Sequence, residues 1–352
     1  MGDFTLLGLL ETGARLRSSD LHLSCGMPPM FRVDGSLRRA ECGNVSADWL
    51  EEQLSLIVSR DELSSWRPPN VIERAVRIDS FPDFRLRLSA FWSCGAPAAA
   101  IRFIPLRIPT PEECGIPDCL VRLSRSRSGL ILITGSAGSG KSTTLASLAN
   151  AIDKAVPRHI ISLEDPPEYS YPVGRGLVHQ MQVFKDCGDY PSAIRAALRM
   201  DPDVIMIGEI RDAATVDAAL TAAETGHLVM ATMHTRSAPQ TVDRVTGACD
   251  DPHTGVRLAQ ALLAVCSQRL VPAIGGGRCL AAEVMVGTPA VCSCIREGRV
   301  SQLKNIIQTG SGDGMCTLEQ SLARLVRSGR VGESVAADFS NDAHALKRIL
   351  ES

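Results

Sequence analysis

The sequence predicts an α/β protein built as two parts in series, and three observations predict it. Residues 1 to about 108 alternate short apolar segments with turns, a Pro-rich passage follows, and from Leu130 onward continuous apolar runs alternate with amphipathic helical patterns. The chain has 352 residues, more than the ~100–200 usual for one domain. Hydrophobic residues make up 45% and charged residues 22%, a balance that buries a sizeable core and excludes disorder on the scale of a domain. Basic and acidic residues number 37 and 39, for a formal net charge of −2, so no overall field draws the chain to a polyanion and no nucleic acid is expected as main partner. No apolar run approaches the ~20 residues of a membrane span, and the opening MGDFTLLGLLETGARLR lacks a basic region before its apolar stretch. A soluble, unexported protein with no transmembrane segment is therefore expected. The 12 cysteines are scattered, which favours reduced thiols. Cys292/Cys294 and Cys114/Cys119 do not make the paired CxxC knuckles of a zinc site, so no cysteine-bound metal is expected.

Taken in order, the segments LHLS, MFRVDGSLRRA, VIERAVRIDS, FRLRLSAFW and AAAIRFIPL read as strands of an antiparallel sheet. DWLEEQLSLIVS reads as a helix carried on it, and Asp34-Gly35 lies between two apolar runs as a hairpin turn would. IPLRIPTPEECGIPDC then places four prolines in a short span, which opposes continuous helix or central strand. An extended connector is expected over residues 109–122, between a first domain at 1–108 and a second at 123–352. In the second, LILITG, HIISLED, VIMIGE and LVMATMHT read as buried strands, and STTLASLANAID, SAIRAALRM and DAALTAAETG as the helices between them. Such alternation predicts a mainly parallel sheet covered on both faces. Beyond Ala238 the expectation is mostly helix, with VRLAQALLAVCSQRL and TLEQSLARLVRSG as the clearest cases of three-to-four spacing.

Gly135-Ser136-Ala137-Gly138-Ser139-Gly140-Lys141-Ser142 fits GxxxxGK[ST] between a strand and a helix, the context this phosphate-binding loop requires, and Thr143 continues it. Glycines let the backbone wrap a phosphate chain, the helix N-terminus faces the anion, Lys141 reaches the terminal phosphates and Ser142 holds Mg²⁺. ATP and Mg²⁺ are the expected cofactors. Hydrolysis needs a carboxylate on a neighbouring strand, and Glu209, at the end of Ile205-Met206-Ile207-Gly208, supplies one that also suits the metal. Glu164 ends HIISL in the same way. Either acid alone serves equally well as a cap on the following turn; two such strand ends after one phosphate loop favour catalysis. His227 and His234 flank LVMAT, and although a lone histidine is more often structural, this strand would lie beside the nucleotide strands. Arg85, Arg87 and Arg102 in the first part and Arg195, Arg199 and Arg211 in the second are the arginines from which a guanidinium for the γ-phosphate would come, and sequence does not rank them.

In this order the residues resemble the secretion-ATPase superfamily of type II secretion and type IV pili, GspE/PulE-like, and most closely its PilT-type pilus-retraction branch. The resemblance rests on SSDLHLSCGMPPMFRVDGSLRR, the Walker A match GSAGSGKSTT, the Asp-box match ISLEDPPEY, the Walker B match ALRMDPDVIMIGEIRD and the His-box match TAAETGHLVMATMHT, and it covers nearly the whole chain. It implies a PAS-like first domain, a RecA-like second domain and a homo-hexameric ring. It casts Glu164 as the Asp-box carboxylate that activates water, Glu209 as the Walker B glutamate, His227 and His234 as the His-box pair, and Arg85 and Arg102 as nucleotide-closing arginines. It further implies a cytoplasmic protein peripheral at the inner membrane, acting on a pilus platform protein there and sharing the apparatus with a paralogous pilus ATPase. The expected task is pilus retraction, powered by ATP hydrolysis. The sequence shows neither a long amino-terminal extension nor a tetracysteine zinc insert, both frequent in assembly and secretion motors. One departure lies at Val291-Cys292-Ser293-Cys294-Ile295-Arg296-Glu297, where retraction motors carry AIRNLIRE. The rival readings are the ATPase of a type II/IV secretion or conjugative pilus system and a nucleotide-gated accessory module of another motor. Retention of both Glu164 and Glu209 speaks against the second.

Overall fold

A computed structural model of the chain describes residues 4–76, 78, 81, 84–249 and 251–351. Backbone contacts divide it into two compact units, Met1–Arg107 and Ile108–Ser352.

The first unit begins with α1 (Leu6–Arg15), whose first turn is capped by the Thr5 hydroxyl and whose inner stripe is Leu6, Leu9, Leu10 and Gly13. Next come β1 (Asp20–Ser24), β2 (Met30–Val33), β3 (Ser36–Arg39), α2 (Ala47–Leu54), α3 (Arg60–Ser65), β4 (Ile72–Val76), β5 (Phe84–Ser93) and β6 (Ala96–Pro105). The strands form one antiparallel sheet in the order β3-β2-β1-β6-β5-β4. Asp34 and Gly35 turn β2 into β3 with φ of 50° and 87°, the left-handed pair that a two-residue hairpin needs. The predicted DWLEEQLSLIVS helix is α2 in its first part only, ending at Leu54 before the SLIVS run. The VIERAVRIDS run contributes β4, while its Arg77, Asp79 and Ser80 lie outside the described residues. Leu21, Leu23, Phe31, Leu86, Leu88, Ile101 and Phe103 face the helices and make the core. Because side chains alternate along a strand, the opposite face carries Arg85 and Arg87 of β5 and Arg102 of β6.

The second unit starts with α4 (Pro111–Cys114) and α5 (Asp118–Leu123), which corrects the extended connector expected over 109–122. Thr110 and Glu113 form a reciprocal cap, with the Thr110 N–H donating to Glu113 Oε2 at 2.8 Å, and Pro111 occupies the first helical turn, where its missing N–H costs nothing. Ile116, Cys119 and Leu120 are buried in the core of this unit, so the segment is part of the body. Then follow β7 (Gly129–Thr134), α6 (Lys141–Ala155), β8 (His159–Glu164), β9 (Leu177–Gln182), α7 (Tyr190–Ala197), β10 (Val204–Ile207), α8 (Ala213–Glu224), β11 (Leu228–Met233), α9 (Ala238–Thr246), α10 (Thr254–Ala261), β12 (Leu262–Pro272), β13 (Arg278–Val286), α11 (Pro289–Arg296), α12 (Leu303–Thr309), α13 (Leu318–Arg327), α14 (Glu333–Asp338) and α15 (Ala343–Glu351). The sheet runs β13-β12-β7-β11-β10-β8-β9, parallel except for β13. One face packs on α5 and α6 through Leu120, Leu145, Leu148 and Ile152; the other packs on α7 to α11. Burial on both faces explains the unbroken apolar runs of β7, β8, β10 and β11.

The predicted all-helical texture after Ala238 holds only in part. VRLAQA ends α10, but LLAVCSQRLVP is β12, seated between β7 and β13, and RCLAAEVMV returns antiparallel to it. A strand buried on both faces has no alternation to distinguish it from a helix. Gly275, Gly276 and Gly277, all at positive φ, make the turn of this hairpin. TLEQSLARLVRSG is α13 as expected, and α13, α14 and α15 close over Val271, Cys279 and Ala281. Among the described residues no helix is long and apolar enough to cross a membrane.

Candidate functional site

The loop Gly135 to Gly140 leaves the C-terminal end of β7 and enters α6 at Lys141. Gly135 has φ of 148°, and a Cβ there would lie 2.5 Å from the Gln268 carbonyl and from Ser139 Oγ, so only glycine passes. Gly140 is the N-cap at φ 87° with no side-chain cap, which leaves the first amides of α6 free of side-chain acceptors. Ser136, Ala137 and Gly138 form the exposed tip, while Ser139 is buried and its Oγ has no hydrogen-bond partner among the described residues. Lys141 is buried; its Nζ donates to the Gly135 and Ser136 carbonyls at 3.0 and 2.9 Å. Burial pushes its pKa down, and the negative charges of Glu209 and then Glu168 oppose that shift. An orphan hydroxyl, an uncapped helix N-terminus and a buried ammonium are all donors. That set fits an anionic phosphate chain.

The sheet brings the predicted acids to the same edge. Ile207 pairs with Leu163, and Met233 with Thr134, so β8, β10, β11 and β7 end side by side. Glu164 is buried; Ser162 Oγ donates to it and Gln180 Nε2 donates at 3.3 Å. Burial raises its pKa above the ordinary carboxylate value, against the lowering effect of those donors. Glu209 stands one residue past Gly208, whose N–H donates to Leu163 O at 2.7 Å and whose carbonyl accepts from Thr232 Oγ1. A Cβ on Gly208 would meet Leu163 O and Tyr190 Oη at 3.1 Å, so the glycine lets the two acidic strand ends approach. The Glu209 carboxylate is clasped on both oxygens: His234 Nε2 lies 3.0 Å from Oε1, and Arg211 donates through Nε and Nη2 to Oε2 at 2.8 and 2.7 Å.

His234 and Arg211 thus join Glu209, but His227 does not. It sits at the opposite end of β11, about 23 Å away over seven steps of ~3.3 Å, with Nδ1 near the Ala222 carbonyl and Thr225 Oγ1. The two histidines thus flank β11 at opposite ends, as the sequence has them, and His234 is the one that contacts Glu209. Thr143 Oγ1 pairs with Tyr169 Oη at 2.9 Å, tying α6 to the segment after β8. Ser142, half-buried on the first turn of α6, and the Glu209 carboxylate are hard oxygen donors of the kind Mg²⁺ takes. Arg195 and Arg199 are exposed on or just after α7.

In the first unit, Arg102 stands opposite Arg87 and beside Asp20, which in turn stands opposite Arg32. Arg102 Nε donates to Asp20 Oδ1 at 3.0 Å, and Arg87 lies 3.9 Å from Glu73. Like charges directly opposed across a sheet repel; the two flanking acids offset this. Arg85 lies two residues from Arg87 on the same face.

Sequence reasoning missed Glu168, Tyr190 and Gln268. Glu168 was legible as the third acid of LEDPPE. Tyr190, whose phenol pKa is raised first by burial and then by Asp165, Glu209 and Glu164, offered no signal because it reaches the site from α7.

A family model described as type II/IV secretion system protein matches residues 15–326. Among curated proteins, the chain is 39% identical over 333 residues to a type IV pilus retraction ATPase, PilT, of Pseudomonas aeruginosa, covering 94% of this chain and 96% of that one. It is 35% identical over 347 residues to a twitching motility protein of Neisseria gonorrhoeae, covering 97% and 92%. A crystal structure of the pilus retraction motor PilT with bound ADP superposes with a TM-score of 0.83 at 34% identity, over 98% of this chain and 100% of that chain.

Proposed function

Because the chain belongs to the type II/IV secretion system protein family, we propose that it is an ATPase motor that powers retraction of a type IV pilus. The observation that carries the reading is the Glu209 carboxylate, held between His234 and Arg211 at the same sheet edge from which the phosphate loop with its buried Lys141 departs. Similarity to the retraction ATPase over 94% of the chain supports the task. On this reading the first unit is PAS-like and the second RecA-like, the site residues are those of the phosphate loop with Glu164, Glu209 and His234, and six copies form a ring at the inner membrane.

Lys141 and the amides at the start of α6 bind the phosphates. Mg²⁺, held by Ser142 and Glu209, would supply positive charge to the β- and γ-phosphate oxygens. Glu164 takes a proton from the attacking water; its oxygen bonds to the γ-phosphorus as the bond to the β–γ bridging oxygen breaks, and ADP leaves with that oxygen. Burial makes Glu164 a stronger base than an ordinary carboxylate. Arg85 and Arg102, from a row already spaced by Asp20 and Glu73, neutralise charge on the transferred phosphoryl group. Force then passes to a platform protein in the inner membrane.

The test replaces the chromosomal copy by Glu209→Gln. The purified variant should bind ATP as the wild type does and hydrolyse it about a hundredfold more slowly or worse, while the cells accumulate surface pili and lose twitching. Bald cells would make the protein an assembly motor, and unimpaired turnover would remove Glu209 from the site.

A further inference from the structure

Gln268 lies one residue beyond the last pair between β12 and β7, directly against the phosphate loop. It is 1% exposed. Its Nε2 donates to the Ser139 carbonyl at 2.7 Å, and its Oε1 accepts from Thr144 Oγ1 at 3.0 Å. A carbonyl only accepts, so the Ser139 contact fixes which end of the amide is nitrogen. The preceding residue, Ser267, is hydrogen-bonded to Thr134 at 2.7 Å, which fastens β12 to the strand that leads into the loop.

The C=O of Ser139 and the N–H of Gly140 belong to one planar trans peptide and point in opposite directions. Holding the carbonyl on β12 therefore turns the Gly140 N–H away from that strand. Gly140, at φ 87° and without a Cβ, has no side chain to resist rotation of that plane. We propose that Gln268 is a positioning residue: it fixes the Ser139–Gly140 peptide plane so that one more amide faces the β-phosphate of a nucleoside di- or triphosphate. The inference rests on the nucleotide reading above and assigns a role to a residue outside the loop itself. Thr144 acts in support by holding Oε1.

Calorimetric titration of the full-length protein with ADP and with AMP, in the presence of Mg²⁺, tests it. Gln268→Leu should weaken ADP binding about ten- to a hundredfold, the worth of one amide bond to a charged acceptor, and leave AMP, which lacks the β-phosphate, within about twofold. Thr144→Val should show a smaller loss of the same kind. If Gln268→Leu does not fold, Gln268→Asn, which keeps the amide but shortens its reach, takes its place with the same expectation. ADP affinity within about twofold of wild type, or equal losses for ADP and AMP, would overturn the inference. Failure of the wild type to bind ADP would instead overturn the nucleotide reading.

Discussion

At the scale of single residues, the site depends on carboxylates placed in contrasting surroundings. Glu209 is clasped by two cationic or polar groups, whereas Glu164 is buried with neutral donors. Because burial raises the folded-state pKa of Glu164 above its unfolded value, the protonated form is the one the fold favours. Its contribution to stability is fully present below the unfolded carboxylate pKa and is lost as pH rises through the folded one. Glu164→Gln should therefore melt higher than wild type at pH 8, with the gap closing toward pH 4, while turnover collapses. A lower melting temperature for the variant at pH 8 would show that the Ser162 and Gln180 hydrogen bonds outweigh desolvation. The phosphate loop was legible because its backbone demands glycine at fixed positions. Gln268 was not, since it meets Ser139 across 129 residues and no local pattern marks that meeting.

At the scale of elements, periodicity found the nucleotide-side strands and helices because each is long, apolar and bounded by turns. It failed where two structures share one pattern. Prolines at 105, 109, 111 and 117 read as an interruption, yet Pro111 starts a capped helix and Leu120 is fully buried in the core of the second unit. VRLAQALLAVCSQRL read as one helix because its apolar residues keep three-to-four spacing, and a strand buried on both faces shows no alternation to mark where α10 gives way to β12. Leu120→Ala separates the two views of the Pro-rich segment: a core position should cost about 2–5 kcal/mol in thermal or denaturant unfolding, and a connector nothing measurable.

At the scale of the whole molecule, the order of five motifs carried the family, and that order is a property no single element has. The arginine row of the first unit was legible only as scattered residues; the register of β1, β5 and β6 assembles it. If six copies work as a ring, their sites are not independent. Mixing wild-type subunits with Glu209→Gln subunits should then lower turnover faster than the mutant fraction rises, and a strictly linear fall would make each subunit its own engine.

Two neighbouring residues of β12 give that engine a mechanical property. Gln268 grips the phosphate loop, while Arg269 donates to the Phe339 carbonyl and to Asn341, in a turn whose amides at Asn341 and Asp342 are gathered by the buried carboxylate of Glu319. Successive side chains leave a strand on opposite sides, so the phosphate loop and the turn between α14 and α15 hang from the two sides of a single peptide bond. A displacement of the turn at Phe339 to Asp342 and a displacement of the phosphate loop therefore meet at adjacent residues of one buried strand.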